Sequence, residues 1–284
     1  MKIGIGLPNT LDISGPAIAE WARRAEDRGF AALSTIDRIV YPTYDSLTAL
    51  AVAAGATSRI GLFTDILLAP LYPPVWLAKA SASLDAMSGG RLTLGVGVGG
   101  RVDDYNAVDR PMNRRGTLMD ETLDLLVRAW RGEPVAGGEF PVGPPPANGS
   151  RVSLLIGGGS PAAIQRTVTY GDGWTAGGSG AKGLAGAAQQ VRSAWRDGGR
   201  DGEPRIAALV YFGLSNPDAS RATLRRYYGF LGEWADGIAE AAVRTADGAA
   251  STAEEFAAAG ATELMFVPTV ADVDEVHRLA DAVL

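Results

Sequence analysis

The sequence contains no cysteine in its 284 residues. That absence excludes a disulfide framework, a thiol nucleophile and every thiolate metal site. Histidine is nearly absent too, with His277 the only one. No two-histidine zinc or iron site can be built from one imidazole, and a Ser-His-Asp triad would have to use it. Positive charge is not in excess: 26 basic residues against 32 acidic ones leave a net charge of −6. Such a balance argues against a nucleic-acid partner, which needs clustered positive charge. No apolar run reaches the roughly 18 to 20 residues that span a bilayer. The opening stretch, residues 1–8, is too short for a signal-peptide core, so the expectation is a cytoplasmic protein without a membrane partner. These absences remove much of hydrolase and metalloenzyme chemistry. What survives is carboxylate and hydroxyl chemistry, or chemistry carried by a bound organic cofactor.

What is present describes a folded chain. Apolar residues make up 46% and charged residues 20%, enough for a well-buried core. Glycine, at 37 residues, is nearly twice the roughly 7% of an average protein. A fold with many tight turns or close backbone approaches is implied.

Short apolar runs alternate with longer helix-like segments throughout. Strands are predicted at 2–7, 31–36, 60–68, 91–98, 152–156, 173–176, 206–214 and 262–267. Helices are predicted at 16–28, with Ser14 as cap and Gly29 as stop, and at 46–56, 75–87, 114–130, 161–170 and 184–196. A long helical stretch from 218 to about 245 follows, then 252–259 and 273–283. Residues 132–150, with prolines at 134, 141, 144, 145 and 146, read as an extended surface connection. The rhythm resumes unchanged beyond it. Eight strands, each followed by helix, give the count of a (β/α)8 TIM barrel, an α/β fold usually about 250 residues long. A doubly wound sheet shares the local alternation but not the eightfold count.

In a barrel the chemistry sits at the C-terminal strand ends. The first strand ends at Pro8-Asn9, which reads as a turn. The second ends at Asp37-Arg38, a pair able to orient a ligand or simply to be solvated. Asp65 interrupts the apolar run Leu62–Leu68 of the third, where an unpaired carboxylate is costly. It either faces a polar barrel mouth or marks a bulge that turns it outward. Gly95, Gly97 and Gly100 match the GxGxxG dinucleotide fingerprint. The context is wrong for it: the match follows the fourth strand, and residues 101–106 lead toward Pro111 with no helix expected. Gly157-Gly158-Gly159-Ser160-Pro161 turns from the fifth strand into a helix, and free amides there suit a phosphate. Trp174 reads as core or as a flank for a cofactor ring, and His277 as a surface helix residue.

Taken in order, several segments resemble the bacterial luciferase-like monooxygenase superfamily over nearly the whole chain. They are Ala56–Leu62, Pro74–Lys79, Leu84–Leu92 with Leu94–Gly97, Ile156–Ser160, Gly171–Trp174 and Gly260–Leu264. The resemblance implies one (β/α)8-barrel domain over residues 1–284 and an oxidoreductase using FMN or coenzyme F420. It makes Thr64-Asp65-Ile66 the segment behind the flavin ring, with Asp65–Ile66 a candidate cis peptide. It further implies ring or side-chain contacts at Val98 and Gly99, and a phosphate turn at Gly157, Gly158 and Gly159. Pairing into a homodimer is also a family habit.

The departures matter. Many relatives have Asp-His where this chain has Asp37-Arg38, and Gly100 stands near where some dehydrogenases place an acidic residue. Arginine is a poor general acid or base but well suited to an anionic substrate or a developing enolate charge. The expected function is hydride or oxygen transfer from reduced FMN or coenzyme F420 to a small organic substrate. Asp37, Arg38 and Asp65 are the candidate catalytic groups, no metal is expected, and an FMN enzyme would need a separate flavin reductase. The alternatives are a non-catalytic flavin-binding relative, which would bind cofactor without turnover, and an NAD(P)-dependent Rossmann-type dehydrogenase.

Overall fold

A computed structural model of the chain describes residues 1–135, 137–178 and 180–284. Among these residues, eight parallel strands pair in sequence order and close into a barrel. The strands are β1 (Lys2–Gly6), β2 (Ala32–Thr35), β3 (Gly61–Leu68), β4 (Leu92–Gly97), β5 (Ser153–Gly157), β6 (Gly173–Ala176), β7 (Arg205–Phe212) and β8 (Glu263–Pro268). Closure runs through β1 and β8, where Lys2 pairs with Glu263 and Ile5 with Phe266. The β3–β4 register shifts between Thr64 and Leu67, and the Asp65–Ile66 peptide bond inside that shift is cis.

The helices are α1 (Gly15–Arg28), α2 (Ser46–Ala56), α3 (Pro74–Met87), α4 (Val102–Ala107), α5 (Arg115–Trp130) and α6 (Pro161–Tyr170), then α7 (Gly180–Asp197), α8 (Pro217–Tyr228), α9 (Trp234–Glu240), α10 (Ala246–Ala258) and α11 (Glu275–Val283). Apolar faces of this outer ring, such as Ile18 and Trp21 of α1 and Leu123 and Leu126 of α5, bury against the outward side chains of the strands. Gly29 ends α1 in the left-handed conformation, φ 90°, with its amide bonded to the last turn. Ser14 stands at the N-cap position, but its hydroxyl makes no capping hydrogen bond. The described residues of the 132–150 connection form no helix or strand and are nonetheless fastened to α3. Lys79 Nζ donates to Gly143 O at 2.9 Å, and Ala147 N donates to Asp85 Oδ2 at 2.8 Å.

Three expectations need correction. A short helix, α4, does open after the Gly95/Gly97/Gly100 match; Asp103 and Asp104 in its first turn complement the helix dipole. The dinucleotide reading falls for a different reason, since β4 lies within a closed barrel and not at the start of an open sheet. The long helix expected over 218–245 is broken after Tyr228. A single 3-10 turn and Gly232, at φ 59°, separate α8 from α9, and Val243 then bridges to Phe212. The helix expected at 252–259 begins earlier, at Ala246, because the Thr245 side chain caps it by accepting from Gly248 N.

The barrel interior explains part of the glycine excess. Phe63, Leu155, Ala207 and Met265 form a separate apolar layer inside the strands. A Cβ on Gly4 would overlap the Met265 thioether, and one on Gly95 would overlap Thr64 O and the Phe63 ring. Below this layer Arg205 pairs with Glu263 through two hydrogen bonds of 2.6 and 2.8 Å, and also reaches Ser153 and Thr93. Gly95→Ala must therefore displace backbone or Phe63. A destabilisation of at least about 2 kcal/mol is expected for such overpacking, measured by urea unfolding.

Candidate active site

The strand ends at the C-terminal face surround a cavity of about 210 Å³. Asp37 and Arg38 reach it from β2, Asp65 and Ile66 from β3, Gly99 to Arg101 from β4, and Tyr211 from β7. Tyr227, Tyr228 and Phe230, at and beyond the end of α8, fold over the same space.

Asp65 is 2% exposed and points into the barrel mouth. Thr175 Oγ1 donates to its Oδ1 at 2.7 Å, while Oδ2 has no partner among the described residues. Burial pushes the carboxyl up to about 7; the Thr175 bond opposes this and the charge of Glu263 adds to it. Asp37 is better satisfied. Its carboxylate accepts from Leu68 N at 2.9 Å, from the Tyr72 hydroxyl at 3.0 Å and from Ser46 Oγ at 3.3 Å. Burial still raises it, to about 6. Burial and the neighbouring Asp37 charge together keep the Tyr72 phenol protonated.

Arg38 lines the cavity, but its charge is already met. Its side chain is 4% exposed, with Nε 2.8 Å from Asp104 and Nη2 3.1 Å from Asp103. The Asp104 contact is an ion pair without hydrogen-bond alignment, and Arg38 Nη1 has no acceptor among the described residues. Asp104 Oδ1 also accepts from Ile39 N at 3.0 Å and Val40 N at 2.7 Å. The short helix α4 thereby pins the loop that follows β2.

The turn after β5 combines exposure with open amides. Gly158 adopts φ 110°, Ser160 Oγ caps α6 by accepting from Ala163 N, and Pro161 occupies the first turn. Among the described residues no acceptor takes the amide hydrogens of Gly159, Ser160 or Ala162. Trp174 is buried, and its indole donates to Gly158 O at 2.8 Å. It anchors this turn and does not flank the mouth cavity. Gly157 and Gly97 form a cradle for Ile66: a Cβ on Gly97 would overlap Ile66 Cδ1, and one on Gly157 would lie 3.1 Å from it.

The other sequence-predicted positions divide between wall and mouth. Thr64 is fully buried, its hydroxyl donating to Gly95 O at 2.8 Å within the wall. Val98 packs on the core, and its carbonyl accepts from the Tyr105 hydroxyl. Gly99, at φ 69°, opens on the cavity. His277 lies on α11, away from the mouth. Sequence reasoning missed Arg101 and the tyrosines 211, 227 and 228. The Tyr227-Tyr228 pair at the end of an otherwise polar helix is the signal that could have found them.

Among the described residues no three His, Asp or Glu side chains gather as metal ligands would, and no helix is long and apolar enough to cross a membrane. The family model described as luciferase-like monooxygenase matches residues 1–276. An uncharacterized protein of Mycobacterium tuberculosis (strain ATCC 25618 / H37Rv) is 31% identical over 228 residues, 76% of each chain. Monooxygenase RslO1 from Streptomyces bottropensis superposes with a TM-score of 0.78 at 21% identity, covering 99% of this chain and 96% of that one. An F420-dependent secondary alcohol dehydrogenase, solved with an F420-acetone adduct, gives a TM-score of 0.80 at 18% identity, covering 99% and 98%. At these identities the two structures speak for the fold.

Asp65 makes stability depend on pH in a definite direction. A carboxyl raised in the folded state binds more protons there than when unfolded, so its stabilisation is complete below pH ~4 and is lost as pH rises toward ~7. Asp65→Asn is expected to lack that loss. At pH ~8 it should be more stable than the parent by up to on the order of 4 kcal/mol, with little difference at pH ~4. Urea unfolding at the two pH values measures this, and equal pH dependence in both proteins would refute it.

Proposed function

Because the chain belongs to the luciferase-like monooxygenase family, we propose that it is an oxidoreductase using reduced FMN or coenzyme F420 on a small organic substrate. One observation carries the reading: an exposed turn of open amides stands beside a mouth holding a buried, half-satisfied carboxyl. The residues present fit such a cofactor. Gly157, Gly158 and Gly159 with the start of α6 suit a phosphate, while Asp65, Ile66, Val98 and Gly99 offer backbone and short side chains to a flat ring. When bound, the cofactor would supply hydride transfer or oxygen activation, which no side chain here can carry.

The protein's own groups then have separable roles. Asp65, raised to about 7, exchanges a proton at Oδ2 near neutrality, where acid and base forms are both populated. Thr175 holds the other oxygen and fixes the carboxyl plane. Asp37 faces the substrate side of the mouth, held by Leu68, Tyr72 and Ser46. Arg38 acts as a positioning residue through Asp103 and Asp104. Tyr227, Tyr228 and Phe230 limit water at the mouth. If reduced FMN is the cofactor, a separate flavin reductase is the expected partner; family habit favours a homodimer. The departure of Arg38 from the family's histidine is met by giving proton transfer to Asp65, which disfavours the non-catalytic alternative.

Parallel titration of the protein with FMN and coenzyme F420, oxidised and reduced, followed by fluorescence, tests the reading. One cofactor should bind selectively. Failure of both to bind below about millimolar, roughly 4 kcal/mol of affinity, would refute it. Gly159→Asp has room for its side chain and brings a negative charge to the turn, so at least about tenfold weaker binding is expected. Asp65→Asn should leave cofactor affinity within about threefold and lower turnover by roughly 10² to 10⁴.

A further inference from the structure

Two arginines line the mouth, and only one has its charge balanced. Arg38 is enclosed by Asp103 and Asp104. Arg101, which follows Gly99-Gly100 at the end of β4, has no carboxylate within ion-pair distance among the described residues. Among the described residues its one hydrogen bond is from Nη2 to Tyr227 O, at 2.7 Å. The guanidinium is held on an aromatic platform, 3.7 Å from the Phe230 ring centroid and 4.8 Å from that of Tyr227. Arg101 thus reaches across the mouth from β4 to the segment after β7, and Nε and Nη1 have no acceptor among the described residues.

None of the mouth's carboxylates pairs with it, although Asp65 keeps one oxygen without a partner among the described residues. Asp37 accepts from Leu68 N, Tyr72 and Ser46, Asp65 accepts from Thr175, and Asp104 serves Arg38. A cation fixed by stacking and one hydrogen bond, with donors to spare, is preorganised for a planar oxyanion. Burial works against its charge, and an incoming anion would relieve that cost.

Beside the mouth lies a second cavity of about 320 Å³, sharing Gly178, Leu209, Tyr211 and Tyr228 with it. Val210, Ile238, Ala242 and Phe256 give it an apolar wall, with Thr252 and the Tyr211 and Tyr228 side chains adding polar groups. Its only charged lining residue among those described, Glu255, is exposed and would turn an anionic group away. Glu255 thus stands in the lining of this cavity, and the guanidinium of Arg101, unpaired among the described residues, lines the mouth next to it.

We propose that Arg101 is the residue that recognises the substrate, and that the substrate is an amphiphilic carboxylic acid. Its carboxylate meets Arg101 and its apolar body occupies the cavity walled by Leu209, Val210, Ile238 and Phe256. This inference rests on the oxidoreductase reading for the meaning of "substrate", but the anion site itself does not. Cofactors also carry oxyanions; the open amides after β5 already suit a phosphate, whereas Arg101 is turned toward α8.

The test titrates the protein with phenylacetate and octanoate, and with the corresponding neutral amides, following intrinsic fluorescence. The parent protein should bind each acid at least about tenfold more tightly than its amide. Arg101→Gln should abolish that preference, and Arg101→Lys should keep part of it, because the charge remains while the planar fork is lost. Equal binding of acids and amides by the parent, no binding of either acid, or a preference that survives in Arg101→Gln would overturn the proposal. FMN and coenzyme F420 are titrated against the same variants. A loss of cofactor affinity in Arg101→Gln with acid binding unchanged would assign the cation to the cofactor and overturn the substrate role. Failure of the parent to bind either cofactor would refute the oxidoreductase reading while leaving the acid/amide comparison valid. Should Arg101→Gln not fold, as judged by circular dichroism, the parent comparison and Arg101→Lys decide.

Discussion

The scarcity of space inside an eight-stranded barrel governs much of this molecule. Large side chains cannot enter from every strand, so those that do, Phe63 and Met265, require glycine opposite them at Gly95 and Gly4. The same economy recurs one layer higher. Gly97 and Gly157 leave their positions bare, and Ile66 fills the space between them. Asp65, next to Ile66, is thereby held in the lining of the mouth, with Thr175 its one hydrogen-bonding neighbour among the described residues. A carboxyl so placed keeps its proton to near neutrality because water cannot solvate the charge. Packing thus produces the chemical property on which the proposed proton transfer depends.

A second dependence links loop architecture to electrostatics. Asp104 is oriented by α4, whose first turn tolerates two aspartates because the helix dipole favours them. From there it caps two backbone amides after β2 and neutralises Arg38. Removing it would leave a buried guanidinium with the half-exposed Asp103 as its one carboxylate among the described residues, beside its bond to Val40 O. Such an uncompensated charge costs more than the pair itself contributes. Arg38 is therefore better understood as a strut between two loops than as a ligand group.

The fold was legible because strand and helix periodicities alternate on both sides of the 132–150 connection, and the strand boundaries fall within a residue or two for most strands. Elements were misread where a local signal competed with periodicity. The helix α4 has six residues, too few for an apolar period to register. The break after Tyr228 depends on Gly229 and Gly232, each tolerated singly in a helical pattern. At the site, strand-end logic brought Asp37, Arg38 and Asp65 to one cavity. It could not report that Arg38 is paired, because Asp103 and Asp104 lie 65 and 66 positions away along the chain and are aligned only by α4. Tyr211, Tyr227 and Tyr228 escaped for a related reason. They belong to a strand and a helix end that converge over the mouth only once the barrel closes.

These constraints join in the charge balance of the mouth. Asp37 and Asp65 are both raised by burial, so near neutrality they oppose an incoming anion less than two full carboxylates would. Arg38 is cancelled by its two aspartates, leaving Arg101 as the cation whose field is not locally spent. An anionic group entering the mouth would raise the proton affinity of both carboxyls, by like-charge repulsion and by cancelling the field of Arg101. A substrate carboxylate at Arg101 would thus keep Asp65 protonated to higher pH. On this arrangement, binding of the acid and retention of the Asp65 proton are two consequences of one electrostatic field.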